Sequence, residues 1–415
     1  MRKYLYEKDI HLLNKLNKSI EKRLRRIIME IGLEKISFNI PHLYVDMNEL
    51  AKARNEEPAK YTIGIGQDEM AVAPLSQDPV TLAANAALQM LTEEDKEAID
   101  LIMFATETGI DQSKAASVYV HRLIGLPEQV RSIELKHACY SGTAALQLAK
   151  GHVALHPDRK VLVLASDIAR YGLNTPGEVT QGAGAVAMLI SANPKVLRLN
   201  DESTFITKDI MDFWRPNYSE YAYVDGKYSN EQYIKFFNNV WKAYKDKTNE
   251  TLDDFEALCF HLPYTKMGKK ALETIIDEGS EDTQRRLLDY YDASTQYGRK
   301  VGNVYTASLY LSLLSLLEHV DTLKPNAKIG LFSYGSGAVG EFFTITLQEN
   351  YKDYLFTEVH NEMFNNRKRI SVQEYEEIFE QSLPTDGSTF TIDTEDPAPV
   401  RLTGIKEHMR QYTRG

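Results

Sequence analysis

The chain has 415 residues, 43% apolar and 26% charged, the profile of an ordinary soluble globular protein. Two cysteines, Cys139 and Cys259, are too few for a disulfide scaffold and suit a reducing compartment. Forty-eight cationic against 59 anionic side chains give a net charge of −11, which argues against a nucleic-acid binder.

In chain order, residues 1–28 come first, with nine Lys or Arg against three acids. Ile10, Leu13, Leu16 and Ile20 recur there at helical spacing, so a surface-seeking amphipathic helix is one reading. The simpler reading is a basic extension outside the core; the arm lacks the apolar centre of a secretory signal. Past Met29, the apolar runs Ile99–Ala105, Val130–Leu135, Lys160–Ala165 and Ala257–Phe260 predict strands buried on both faces. Helical patterns over Leu82–Leu91, Lys114–Ile124, Tyr140–Ala154 and Tyr264–Ile275 lie between them, which implies a layered α/β architecture. The Tyr- and Asn-rich stretch Asn200–Asn249, with Asp212-Phe-Trp-Arg-Pro216, reads as an insertion that walls a pocket. Val304–Leu317 is the most apolar segment, but interspersed Ser, Thr and Tyr make it a buried helix rather than a membrane span. Val372–Ser382 predicts one helix and Leu383–Pro399 a loop.

A weak internal duplication organises these elements. Lys160-Val-Leu-Val-Leu-Ala-Ser-Asp is similar to Lys328-Ile-Gly-Leu-Phe-Ser-Tyr-Gly, and Gly182-Ala-Gly-Ala-Val-Ala to Gly335-Ser-Gly-Ala-Val-Gly, 153 positions later. Two copies of one α/β unit are expected, with boundaries at 29–195 for the first and 196–350 for an insertion plus the second. Residues 351–415 then form a C-terminal appendage. Ligands of α/β sheets gather outside the carboxyl ends of strands. Packing of the copies about a pseudo-twofold axis would therefore bring Glu107 and His261 to one site.

Cys139 lies in Lys136-His-Ala-Cys-Tyr-Ser-Gly-Thr-Ala-Ala, between a predicted strand and a helix of small residues. A helix N-terminus lowers a thiol pKa, so Cys139 is the candidate nucleophile, whereas Cys259 inside an apolar strand is core. His261 emerges from a buried strand before a Pro turn and is a candidate acid or base beside that thiol. Glu107, after another buried strand, is a candidate base whose pKa desolvation would raise. Lys266, Lys269 and Lys270 make a cationic patch suited to a phosphate-bearing substrate or, more simply, to solvent. His137 has no partner at zinc-ligand spacing, so no metal site is expected. Gly335–Gly340 matches GxGxxG, but a strand pattern follows it, so a hairpin is expected rather than a dinucleotide site.

Together ATE (105–107), ACYSGTAALQLA (138–149), YGLN (171–174), TQGAGAVAML (180–189), DFWRP (212–216), FHLPYTKMGKKAL (260–272), VGNVYTASLYLSLLSLLE (301–318) and FSYGSGAVGEF (332–342) resemble bacterial 3-hydroxy-3-methylglutaryl-CoA (HMG-CoA) synthases. The resemblance runs from about Met29 into the C-terminal region. It implies a thiolase-like, duplicated five-layered α-β-α-β-α fold in a cytoplasmic homodimer of the mevalonate pathway. By motif it makes Cys139 the nucleophile, Glu107 the general acid/base and His261 the substrate-orienting histidine. Asn303, Ser336, Tyr171 and Thr143 become substrate or oxyanion contacts, and Lys266 and Lys270 stand near the CoA entrance. The substrates implied are acetyl-CoA and acetoacetyl-CoA, with no cofactor, metal, nucleic acid or membrane required. His137, Pro176 and Ala307 depart from common family residues without removing a catalytic group. A decarboxylating ketoacyl synthase would use Cys139, His261 and Asn303 but not Glu107. An NAD-dependent oxidoreductase rests only on the glycine spacing, and a non-catalytic scaffold would need no reactive thiol.

Overall fold

Runs of Val, Ile, Leu, Ala and Phe without polar alternation form strands that helices cover on both faces. The structure, a computed structural model, describes residues 29–393 and 395–415, so the basic arm of residues 1–28 lies outside the described residues. The large sheet has nine strands: β1 (Gly32–Asn39), β2 (Ile99–Ala105), β3 (Arg131–Leu135), β4 (Lys160–Ala169), β5 (Gly182–Ser191), β6 (Leu197–Thr207), β7 (Ala257–Phe260), β8 (Lys328–Gly335) and β9 (Val339–Leu347). Their order is β7-β8-β9-β6-β1-β5-β4-β2-β3.

That order is the duplication made visible. From the centre outward, β1 meets β5 antiparallel, β5 meets β4 antiparallel and β4 meets β2 parallel. On the other side β6 meets β9 antiparallel, β9 meets β8 antiparallel and β8 meets β7 parallel. Within the sheet the halves join where Gly32 and Leu33 pair with Arg198 and Leu197. Strand β3, parallel to β2, forms the outer edge of the first half.

Helices complete five layers. Outside the first half lie α1 (Pro79–Met90) and α2 (Ala116–Ile124), whose apolar residues cluster with Ile102, Phe104 and Leu164. Between the halves lies α3 (Ser141–Leu155). Outside the second half lie α4 (Gly226–Thr248) and α5 (Thr265–Leu272), packed on Phe260, Phe332 and Phe342. The apolar helix α6 (Ser308–His319) joins α3 in the middle layer, where both share one cluster with Val163 and Leu331. Asp78 and Thr81 cap α1 reciprocally and Pro79 opens it, so its start is specified locally.

Two segments differ from the reading of composition. Within the stretch taken as an insertion, Gly226–Thr248 is the outer helix of the second half. Tyr233, Phe236, Phe237, Val240, Trp241 and Tyr244 are buried along one face of it, an aromatic stripe hidden among polar residues. Residues beyond 351 fold back over the first half through α7 (Thr357–Asn365), α8 (Val372–Glu380) and the hairpin Val400–Lys406/Met409–Arg414. His360 of α7 bonds Ser37 at 2.9 Å and Glu318 at 2.8 Å with both side chains sealed, and Asn85 of α1 bonds both backbone groups of Val400.

The halves also grip each other reciprocally. A Cβ on Gly335, at the end of β8, would sit 2.6 Å from Tyr140, in the strand-to-helix turn of the first half. A Cβ on Gly182, opening β5, would sit 2.6 Å from the Val301 carbonyl in the corresponding turn of the second half. Gly302 in that turn has φ +92° and leaves 2.0 Å between an added Cβ and the Gln181 carbonyl. Gly302→Ala therefore meets both backbone strain and a rigid clash, and should cost about 2 kcal/mol or more in denaturant unfolding. A loss below about 0.5 kcal/mol would show that the turn relaxes freely.

Candidate active site

Each half contributes the carboxyl end of a parallel strand. Thr106-Glu107-Thr108 follows β2, and Asp167 near the end of β4 ties that turn down. Asp167 is fully buried and accepts from the Glu107 N–H at 2.7 Å, the Thr108 N–H at 3.0 Å and the Thr106 hydroxyl at 2.9 Å. Its other oxygen accepts from the N–H and hydroxyl of Thr306, before α6, at 3.1 and 2.6 Å. One carboxylate thus couples the Glu107 turn to the middle layer. Asp167 is the acid within the otherwise apolar run of β4, a signal the sequence carries but motif reading passes over. Arg215, from the Asp212–Pro216 cluster, donates to the Glu107 carbonyl from the opposite side.

The Cys139 thiol donates to Glu107 Oε1 at 3.0 Å. Both residues are half-buried. Burial pushes the Glu107 carboxyl up to about 8; the Asp167 charge adds to this, while the thiol contact and Arg215 oppose it. Burial and the adjacent Glu107 charge also push the Cys139 thiol well above its usual range. The lowered thiol pKa expected from the N-terminus of α3 is therefore reversed: desolvation and a neighbouring carboxyl outweigh the helix end.

His261, one residue beyond β7, is 2% exposed, and its Nδ1 has no partner among the described residues. Burial pushes its pKa down to about 3, so the ring is neutral near pH 7 and suits a hydrogen-bonding role better than an acid's. Its carbonyl accepts from the Tyr233 hydroxyl at 2.6 Å, and Tyr233 lies within electrostatic reach of Cys139. Asn303, buried at the turn before α6, uses Oδ1 to hold the Tyr305 N–H at 2.9 Å and the Ser308 hydroxyl at 3.0 Å. Its Nδ2 reaches the Tyr171 hydroxyl at 3.4 Å.

Tyr171, Phe213 and Tyr305 stand edge to face, with centroids 5.9 to 6.1 Å apart. Both tyrosines lie within electrostatic reach of Cys139 and Glu107. Tyr305, held at φ +43°, escaped sequence reasoning because nothing local marks it. The Gly335–Val339 hairpin places half-buried Ser336 beside the cysteine turn, and no helix follows, so the glycine motif is a hairpin as expected. Thr143 differs from its expected role. Its hydroxyl is buried between α3 and α6, bonded to Tyr310 and Ser333 at 2.8 Å each, where it supports packing. Lys266 and Lys270 lie four apart on α5, half-buried and exposed respectively; Lys270 bonds the Tyr264 hydroxyl at 3.1 Å. Among the described residues, no group of three or more His, Cys, Asp or Glu could hold a metal ion.

Comparison with known proteins agrees along the chain. Residues 28–195 match the family described as hydroxymethylglutaryl-coenzyme A synthase N terminal, and residues 201–290 and 283–388 match its C-terminal counterpart. A hydroxymethylglutaryl-CoA synthase of Enterococcus faecalis is 54% identical over 386 residues, covering 92% of this chain and 100% of the relative. A polyketide biosynthesis 3-hydroxy-3-methylglutaryl-ACP synthase of Bacillus subtilis is 31% identical, covering 86% and 89%. Among solved structures, an HMG-CoA synthase complexed with CoA superposes with a TM-score of 0.91 at 46% identity, covering 93% of this chain and 100% of that one. MvaS in complex with 3-hydroxy-3-methylglutaryl coenzyme A gives 0.83 at 34% identity, covering 93% and 99%.

The Glu107 environment has a measurable consequence for stability. A carboxyl raised from 4.5 to about 8 by folding contributes most below its unfolded pKa, and that contribution is lost as pH rises through 8. Glu107→Gln should therefore melt above the parent at about pH 9, with the gap closing towards about pH 5. Equal melting temperatures at both pH values would contradict the buried, protonated carboxyl.

Proposed function

The chain belongs to the hydroxymethylglutaryl-CoA synthase family, and on that premise we propose how its own residues divide the condensation of acetyl-CoA with acetoacetyl-CoA and water into HMG-CoA and CoA. The family's members are acyl-transferring condensing enzymes, and the observation that supports the proposal is the Cys139–Glu107 contact within the first half of a thiolase-like fold. Cys139 attacks the acetyl-CoA carbonyl as its thiol proton leaves; the tetrahedral intermediate collapses, CoA departs as a thiol and an acetyl-cysteine thioester remains. Backbone N–H groups of Cys139 and Ser336 would receive the developing oxyanion.

Acetoacetyl-CoA enters next. Glu107, as carboxylate, takes a proton from the acetyl methyl, and the resulting enolate carbon bonds to the ketone carbon. Asn303 Nδ2 and the neutral His261 imidazole polarise the ketone oxygen, which is protonated as the bond forms. Water then cleaves the enzyme thioester, freeing Cys139 and leaving the new carboxylate of HMG-CoA. A carboxyl with pKa about 8 holds and releases protons near neutral pH, which suits Glu107 to both directions of transfer.

Tyr171 orders the ketone end of the pocket, and Lys266 and Lys270 meet the CoA phosphates by charge. Thiol esters supply the reactive acyl groups, so no cofactor enters the scheme. The setting is the mevalonate pathway, in the cytoplasm; no helix among the described residues is long and apolar enough to cross a membrane. A homodimer would cover the free edge of β3, where Ile133 is 40% exposed.

Incubation with both thioesters should release one free thiol per product and yield a mass matching HMG-CoA. Cys139→Ala should form no acetyl-enzyme and turn over nothing. Glu107→Ala should still be acetylated but condense at least about 10²-fold more slowly. Normal condensation by Glu107→Ala would remove Glu107 from the base role, and NADH or malonyl dependence would overturn the reaction class.

A further inference from the structure

Helix α8 carries two residues that reach the active-site walls from the C-terminal segment. Gln181, 3% exposed, accepts from the Tyr171 N–H at 2.7 Å and the Gly172 N–H at 3.2 Å through Oε1. Its Nε2 donates to the Tyr375 hydroxyl of α8 at 2.8 Å, and that hydroxyl donates onward to Glu178 at 3.2 Å. Arg54 anchors Glu178 in turn with two bonds of 2.8 and 2.7 Å. The central links are buried: Tyr375 and Glu178 are each 2% exposed. A chain of satisfied polar groups in such a setting is stiff, because breaking any member strands a donor or acceptor out of reach of water.

Phe379, one turn further along α8, grips both walls. The Arg170 guanidinium lies over its ring at 4.1 Å and donates to its carbonyl, while Tyr221 stacks on it at 6.0 Å and 7°. Arg170 precedes Tyr171. Tyr221 belongs to the loop that carries Phe213 against Tyr171 and Arg215 against the Glu107 carbonyl. The Ala222 N–H bonds the Arg170 carbonyl at 3.5 Å, so the two loops also meet each other. On its far side the Tyr171 ring rests on Gly177, where an added Cβ would approach within 2.8 Å.

We propose that α8 is a clamp for the reaction's pocket, with Tyr375 and Phe379 as positioning residues that set Tyr171 against Asn303 through Gln181 and Arg170. Neither touches substrate; they act through the loops they hold. The inference rests on the synthase reading, because it assigns the Tyr171–Asn303 pair to the ketone end of the site. Misplacement of a pocket wall lowers the rate of the chemical step more than it weakens binding of the distant CoA moiety.

The test is steady-state condensation by Tyr375→Phe, Phe379→Leu, Gln181→Ala and the Gln181→Ala/Tyr375→Phe double variant. Tyr375→Phe keeps the ring and removes one hydroxyl. It should lower kcat about tenfold with KM for acetyl-CoA within about twofold, and Phe379→Leu should act in the same direction. The double variant should match Gln181→Ala alone, since both changes break one chain. Tyr351→Phe, which removes an unpartnered buried hydroxyl at the start of the same C-terminal segment, should leave kcat unchanged. Wild-type kcat in Tyr375→Phe, an equal loss in Tyr351→Phe, or multiplicative losses in the double variant would overturn the clamp. If the parent itself makes no HMG-CoA, it is the functional reading that fails instead.

Discussion

At 3.0 Å from the Cys139 sulfur, the Glu107 carboxyl sits where both groups hold their protons to higher pH than they would in water. Burial raises both pKa values, and the Glu107 charge raises that of the thiol further, while the thiol contact partly offsets the rise at Glu107. Glu107 therefore gives and takes a proton near neutral pH, as the proposed carbon–carbon bond formation requires. The nearby Asp167 charge reinforces this, and six hydrogen-bond donors keep Asp167 itself an acceptor in the protein interior. A helix N-terminus contributes at the cysteine, but burial decides the sign.

The duplication supplies the frame that surrounds this contact. Each half presents a strand-to-helix turn, one bearing Cys139 and the other Asn303, and each turn lies against a glycine opening or closing a strand of the other half. Gly335 and Gly182 leave no room for a side chain, so the turns are located by backbone contact, which has little slack. The sheet continues across the halves by two residue pairs, and the shared core of α3 and α6 holds the rest. In the proposed reaction, a site at this seam takes its nucleophile and base from one copy and its ketone-polarising groups from the other.

Much of this was legible in the residues. Continuous apolar runs identify β2, β4 and β7, because strands buried on both faces have no alternating pattern to blur. The repeated glycine motifs announce the duplicated halves, and the placement of Cys139 between strand and helix marks the nucleophile. What stayed hidden depends on contacts distant in sequence. Asp167 is an unremarked acid until the Glu107 turn folds onto it, and Tyr305 matters only because its ring meets Tyr171 and Phe213. The stripe of α4 was masked by the tyrosines, asparagines and lysines between its buried aromatics. Thr143 shows the reverse error: its position in a matching motif suggested substrate contact, whereas its hydroxyl is bound within the helix seam.

The protonation state of Glu107 is open to direct observation. Infrared difference spectra between the parent and Glu107→Gln, recorded across a pH titration, isolate the carboxyl stretch of this one residue. The account predicts a protonated carboxyl band that persists through neutrality and fades with a midpoint near 8. A carboxylate already formed at about pH 5, with a midpoint near the 4.3 of an ordinary glutamate, would contradict it.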